Sequence, residues 1–499
     1  MRATRFFLLT GLSLVLTTPA FSQGMGGGGM GGGNMGGMGG GPPRGGGRGK
    51  PASAPVDTRP APAVIAVSQR LKGVLTLAGV ARTLSHQNIP SDKPDVSGLY
   101  ALRGAQIMLD SVDIATTGTA SLVADTRAYG MNSALLIDSG AQVLMTGGHI
   151  ATLGQGATAA YVSGEGSALK LEGVALATQG TGAYGLEVRP GASLVASKIS
   201  VATVSDHATA LSVMGRGQPV RISDSQFVTE GPLSPVISLS GDLEVERISA
   251  RAGRADGLVI DGQHRASFID SGLSGDGYGV MIYEAPQDDG VPLSGPQGGM
   301  DRGGRRPGGG EPPAGERPRD AKAGMRPAME MMGPPEDHTA ALTFTGGHLS
   351  GRRAGFYVTN IRTQIKLDEV ELTTASGVIL KAAADQWGEL GRNGGDATLT
   401  VSHQMLTGDF VTDAISHIAV NLSENSHLTG KTTRNTDVAL DASSRWTLTA
   451  DAAVGKLTGD PAQIDSQGHT LSYDKYRNPA LNGQTLPLPG GGQLVPGGL

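Results

Sequence analysis

Cutting a sugar chain by hydrolysis takes two carboxyl groups a few ångströms apart, one as acid and one as base. Cutting it by elimination takes clustered carboxylates for Ca²⁺ and a basic residue for the proton α to a uronate. Three fragments carry such residue types: Asp288-Asp289, Asn435-Thr436-Asp437 and Gly468-His469-Thr470. The aspartate pair stands at the mouth of a Pro/Gly-rich tract, far in sequence from the other two. Asn, Asp and Gly are also what tight turns select, and turn chemistry is the simpler reading. His149, His207 and His264 recur near chain corners at unequal positions, so solvent-exposed corner histidines are expected rather than a ligand cluster. Trp387 and Trp446 are the only tryptophans. Beside Asn and Gly, an indole can stack on a sugar ring, but near the end of a repeat array it more often closes the core. No catalytic, cofactor-binding or metal-ligating residue is assigned, and no cofactor is expected.

Other chemistry is thin. The chain has no cysteine, which removes disulfides, lipid anchoring through a thiol and Cys-based metal sites. Met25, Met30, Met35 and Met38 lie along glycines and offer thioethers to a soft metal such as Cu(I); an incidental place in a flexible spacer explains them as well. The segments from Arg44 to Arg48 and from Arg302 to Arg306 resemble RGG stretches that bind RNA, but the expected export of the chain makes that partner a poor fit. Glycines precede no helix, so a phosphate-cradling loop is missing. A formal net charge of −5 over 499 residues points to neither nucleic acid nor an anionic membrane.

The elements that would position any site come from a repeat. Ile114-Ala115-Thr116, Ile150-Ala151-Thr152, Leu176-Ala177-Thr178 and Val201-Ala202-Thr203 share one pattern, and Phe227-Val228-Thr229 varies it. The first interval between their threonines is the longest, and the later three are nearly equal. Upstream, Gly166 leads to Leu169, Leu171, Val174 and Leu176, and Gly191 to Leu194, Ala196, Ile199 and Val201. Offsets of two are strand-like because alternate side chains share a face. The offset of three between the pairs marks a corner. A repeat of this length without helical periodicity predicts an all-β fold, a right-handed single-stranded parallel β-helix with coils of about 25 residues. One coil cannot bury its own inward residues, so stacking supplies the core. A β-sandwich, the main competitor, gives no reason for side chains to recur in register.

In chain order, residues 1–22 read as a signal peptide, with Arg2 and Arg5, an apolar run from Phe6 to Leu16, and Ala20-Phe21-Ser22 as a cleavage site. Residues 23–63 form a Gly/Met/Pro-rich disordered tether, and 64–97 are expected to cap the solenoid's first edge. The β-helix occupies 98–286, and a low-complexity inserted loop follows at 287–337. The helix resumes at 338–475 with its C-terminal cap, and a Pro/Gly-rich tail closes the chain at 476–499. Beyond the insertion, Ile365, Leu367, Val370 and Leu372 restore the original offsets, so one solenoid should run through the whole chain. No later apolar run approaches membrane-spanning length.

Phe356-Tyr357-Val358-Thr359-Asn360, Trp387-Gly388 with Asn393-Gly394-Gly395, and Asp413-Ala414-Ile415-Ser416 resemble the final coils of bacterial exported β-helix proteins of adhesin or autotransporter-passenger (pertactin-like) type. The run from Ser443 to Asp451 is similar to the segment closing many such passengers. The resemblance covers roughly residues 95–475. It implies a right-handed β-helix displayed outside the cell, at the cell surface or in the periplasm, without catalytic machinery. The membrane β-barrel such passengers continue into has no counterpart in the tail, which puts self-secretion in doubt. The aspartate fragments superficially match polygalacturonase motifs, but in reverse order and without the second glycine beside His469. The expected function is therefore non-catalytic contact with surface or matrix polysaccharide, or with a host or neighbouring cell surface, by a monomer. A β-helix polysaccharide lyase or glycoside hydrolase is the alternative, and an envelope structural component the third reading.

Overall fold

The computed structural model describes residues 70–215, 220–285 and 339–497. The signal-peptide, tether, methionine, Arg-Gly and Asp288-Asp289 readings lie outside them. The described chain is a parallel β-helix. Twelve strands form one sheet in strict chain order: β1 Lys72–Ala78, β2 Val96–Leu102, β3 Leu135–Ile137, β4 Ala160–Val162, β5 Leu186–Val188, β6 Leu211–Gly215, β7 Ile237–Gly241, β8 Leu258–Asp261, β9 Tyr278–Tyr283, β10 Ala354–Thr359, β11 Val378–Ala382 and β12 Asp409–Thr412. Each pairs in parallel with the next, so one strand is laid down per coil. In most coils the remaining two sides belong to a second parallel sheet of 22 strands.

The two inward pairs seen in the sequence are two successive strands of that second sheet. Leu169 and Leu171 lie on Ala168–Glu172, and Leu176 on Ala175–Thr178. Between them sits Gly173 with φ +65°, and its counterparts one and two coils on are Lys198 (φ +55°) and Asp224 (φ +50°). A left-handed residue turns the chain sharply from one strand into the next. At a non-glycine position it costs roughly 1–2 kcal/mol. The backbone offsets that cost by pairing the corners themselves: Gly173 N–H donates to Ser197 O at 3.0 Å and Asp224 N–H to Glu246 O at 3.0 Å.

Inside the corners the core is continuous. Val143, Leu169, Leu194 and Val220 stack in register, all buried. The register also survives the insertion. Phe268 pairs with Phe344 on its far side just as Val245 pairs with Phe268 in the coil before, and the two phenyl rings stack at 4.7 Å. The threonines that close the repeat units form an inward ladder, with Thr116, Thr152, Thr178, Thr203 and Thr229 in mutual register and buried. Thr178 Oγ1 donates to Ala183 O at 2.8 Å and Thr229 Oγ1 to Ser234 O at 2.6 Å, each closing the turn that follows its strand.

Three regions differ from the sequence reading. Lys72–Ala78 pairs with Val96–Leu102 in parallel register, so these residues form a first coil rather than a separate cap. The tail does fold: Gln493–Gly497 pairs with Thr470–Asp474, and Leu486–Pro487 folds back antiparallel on it. Leu488 and Leu494 are buried there, so apolar residues among the prolines and glycines seal the last coil. The long first interval of the repeat holds a helix, α1, Val123–Tyr129, ended by Gly130 at φ +69°. Two turns are too short for periodicity to reveal, and tertiary packing holds such a helix rather than propensity.

The hydroxyls of Thr178 and Thr152 occupy equivalent inward positions, but that of Thr152 is buried without a hydrogen-bond partner. Thr178→Val should therefore cost about 1 kcal/mol, because Ala183 O loses its donor, whereas Thr152→Val should be neutral or stabilising. Denaturation midpoints of the two variants against the parent check this; equal losses would contradict it.

Candidate functional site: a groove on the outer face of the twelve-stranded sheet

Strands of a solenoid sheet usually bury one face and show the other to water. Here the outward face is largely covered as well. Glu187, Ser212, Ser238, Val259, Met281 and Tyr357 follow one another in register from β5 to β10, all outward. Glu187, Ser212, Val259 and Tyr357 are buried. Toward the N-terminus the same row runs through Tyr161, Leu136 and Tyr100, which form a satellite apolar cluster outside the main core. Helix α1 sits over it: the Tyr161 hydroxyl donates to Ala128 O at 2.9 Å.

Beyond that cover the row opens into a groove, with a cavity of about 350 Å³ over β8 to β10. Corner loops raise one wall, with Arg254, Asp256, Asp276, Arg352 and Arg353, and the loop after β11 raises the other, with Asp385 and Trp387. The second wall is why the step in sequence from Leu367 to its partner Val401 is longer than the step from Phe344 to Leu367. The loop is pinned by Asn393, whose buried amide donates to Asp385 O.

The floor is aromatic. Tyr278 stacks on Tyr357 at 4.7 Å, and Tyr283 on Trp387 at 4.4 Å. The Arg353 guanidinium lies 5.8 Å from the Tyr278 ring centre, and Lys381 Nζ 5.3 Å from that of Tyr357, distances at which a cation is drawn to the ring face. Tyr357 donates its hydroxyl to Asp385 Oδ2 at 2.8 Å. Burial raises the Tyr357 phenol, and the hydrogen bond to Asp385 raises it further, so it stays a neutral donor. Burial also pushes the Asp256 carboxyl up, against a hydrogen bond from Tyr278 N–H and the charge of Arg353. The Trp387 indole Nε1 is buried without a hydrogen-bond partner. Stacked rings flanked by arginines and carboxyl groups suit a polyhydroxylated ring, whose apolar face stacks while its hydroxyls bond to the rim.

At the other end of the same row, burial pushes the Glu187 carboxyl up to about 7, although Arg189 and Arg127 pull it down. Glu187 Oε1 accepts from Arg189 Nη1 at 3.3 Å, while Oε2 has no partner.

The sequence candidates are not brought together here. Asp437 belongs to a charge network in the second sheet: its Oδ2 lies 3.1 Å from His417 Nε2 and 2.5 Å from Arg477. Asn435 caps the turn below by donating to Asp413 O at 2.9 Å. His469 faces Asp451 at 3.7 Å, on another coil. His149 is exposed on its ion pair with Asp113, but His264 is mostly buried beside Asp242, and His207 lines the groove. The two tryptophans split: Trp446 lies wholly inside the core, donating to Gly430 O at 2.9 Å, and Trp387 lines the groove.

Sequence reasoning missed Tyr278, Tyr357, Arg353, Asp256, Asp385 and Glu187. A signal was there. Tyr278 to Tyr283 and Ala354 to Thr359 read as unbroken apolar strands, and such runs mark sheets covered on both faces.

No family model matches the chain, and no curated protein matches it. No helix among the described residues is long and apolar enough to cross a membrane.

The Asp437 network yields a pH prediction. Hydrogen bonds to Asp396 and Asp437 raise His417 from its ordinary value to about 9. A raised histidine contributes its full stability below the unfolded value near 6.5, and that contribution is lost as pH rises through about 9. The thermal midpoint of the parent should thus fall between pH 7 and 10 more steeply than that of His417→Gln. Parallel slopes would show that the imidazolium contributes nothing.

Proposed function

We propose that this chain is an exported, non-catalytic β-helix of the adhesin or passenger type, and that it contacts surface or matrix polysaccharide through the groove over β8 to β10. The observation that carries the reading is the pair of ring stacks, Tyr278–Tyr357 and Tyr283–Trp387, walled by Arg353 and Asp385. Stacked aromatics recognise a sugar's apolar face with little loss of conformational entropy, and the charged rim orients its hydroxyls. Arg254 and Arg353 favour a ligand that also bears carboxylates. The leader read in residues 1–22 supports export, and the resemblance of the later coils supports display.

A glycoside hydrolase or lyase is the second reading, favoured by one observation. Asp256 and Asp385 line the same cavity, and Asp256 holds its proton more tightly than an ordinary carboxyl. Hydrolysis requires two carboxyl groups, one of which delivers a proton.

The purified protein should co-sediment with at least one insoluble acidic or neutral polysaccharide without releasing reducing ends or unsaturated uronate. Tyr278→Ala and Trp387→Ala should each weaken that binding by roughly tenfold or more, as loss of one stacked ring does. Product formation abolished by Asp256→Asn would replace the binding reading with the enzymatic one. Binding that ignores both aromatic substitutions would remove the groove from the account.

A further inference from the structure

A second cavity lies on the same outward row. It measures about 20 Å³ and is lined by Arg127, Tyr184, Glu187, Arg189, Ser212 and Ser238 among others. The larger cavity takes up Val259, Met281 and Tyr357, the next three residues of the row, so the two cavities tile it without a gap. On the neighbouring outward row, Met214 and Ser240 line the small cavity and Tyr283 the large one, with Asp261 between them in neither.

The small cavity holds two unsatisfied groups. Glu187 is 2% exposed, and its Oε2 has no hydrogen-bond partner. Arg127 Nε is likewise buried without one, while its guanidinium lies 5.6 Å from the centre of the Tyr184 ring. Burying such groups unpaired is costly. Both residues line the same small space, and a hydroxyl held between them can satisfy an unpaired acceptor and an unpaired donor together, donating to one and accepting from the other. An anion would meet Glu187, and a cation Arg127. The volume admits one oxygen-sized group.

We infer that the groove continues to a hydroxyl-recognising subsite at Glu187 and Arg127, so that the ligand is an extended, polyhydroxylated chain lying across the strands from Trp387 to Glu187. This rests on the polysaccharide reading above and adds its length and polarity. Five strand spacings separate Glu187 on β5 from Tyr357 on β10, a span of about 24 Å. A single sugar cannot bridge that distance, but a linear oligosaccharide can. The polymer lies along the solenoid axis, with uncharged hydroxyl-bearing units at Glu187 and any acidic units at the arginines of the other end.

The test is calorimetric titration of the full chain with two ladders, neutral β-linked gluco-oligosaccharides and oligouronates, each from disaccharide to octasaccharide. Affinity should climb with length in at least one ladder. Glu187→Gln and Arg127→Gln should each lower the affinity for the octasaccharide about tenfold, as expected for a hydrogen bond to a charged group. Neither should alter disaccharide binding. Equal losses at every length, or none for the octasaccharide, would overturn the second subsite, as would a resident water alone in the cavity of an octasaccharide complex. Binding that never improves with length would remove the subsite and leave the aromatic groove standing. No binding in either ladder would remove both.

Discussion

The corner between the two outer strands of a coil is passed through a left-handed residue, and the register of the whole solenoid depends on that bend. Were the corner one residue longer or shorter in any coil, the following strand would turn its inward set to solvent. Lys198, Asp224, Arg247 and Asp270 all accept the unfavourable conformation. They can do so because each corner N–H is held by the next coil, as when Arg247 N–H donates to Ile269 O at 2.9 Å and Asp270 N–H to Thr345 O at 2.8 Å. The bend is thus stabilised by its neighbours, and neighbours exist only in a stack. This is the cooperativity of a one-dimensional array expressed at one backbone position.

A fixed corner makes coil length adjustable elsewhere. Register partners draw closer in sequence along the chain, from Leu194 with Val220, through Val245 with Phe268, to Leu428 with Trp446. The variation falls in loops between the twelve-stranded sheet and its neighbours, where added chain leaves inward rows untouched. Two coils depart from their neighbours in the long direction within the described residues. One carries α1 over Tyr161, and the other carries the Trp387 loop against Tyr283. They stand at the two ends of the outward row that forms the groove. Extra residues therefore sit where they bound the row at its two ends.

How much of this the sequence disclosed follows from the same geometry. Inward positions repeat chemically because each must pack on its equivalent, so the apolar pairs, the alanine–threonine ladder and the return at Ile365 were readable without coordinates. The left-handed corners were readable only as an odd offset, since glycine holds the position in Gly173 but lysine or aspartate holds it elsewhere. Outward rows carry no such demand. Glu187, Ser238, Met281 and Tyr357 share a row yet nothing in type, and their alignment needs the register of five successive pairings. The leucines of the tail were hidden by surrounding prolines and glycines, which give no strand period to read, although Leu494 is wholly buried.

The two outer faces of the solenoid also explain why the groove belongs to one sheet. On the other sheet the outward row is solvated, with exposed Met108 and Val195 and, further on, Arg221 paired with Glu244 at 2.7 Å, both more than half exposed. Such pairs keep a long parallel sheet soluble at little net energy. On the twelve-stranded sheet the row instead carries a buried carboxylate, serines and aromatics under raised loops. Burying Glu187 is unfavourable by the physics that makes a surface ion pair cheap, since its desolvation is only partly offset by Arg189 and Arg127. The unsatisfied polar groups at one end of this covered face gain nothing for the fold itself. Strand spacing sets its repeat at about 4.8 Å along the axis, and a linear polymer of hydroxylated rings presents alternating apolar faces and hydroxyls along a comparable line. On the polysaccharide reading proposed above, the cost of the polar end and the flat rings of the other are terms in one binding equilibrium rather than two unrelated imperfections of the scaffold.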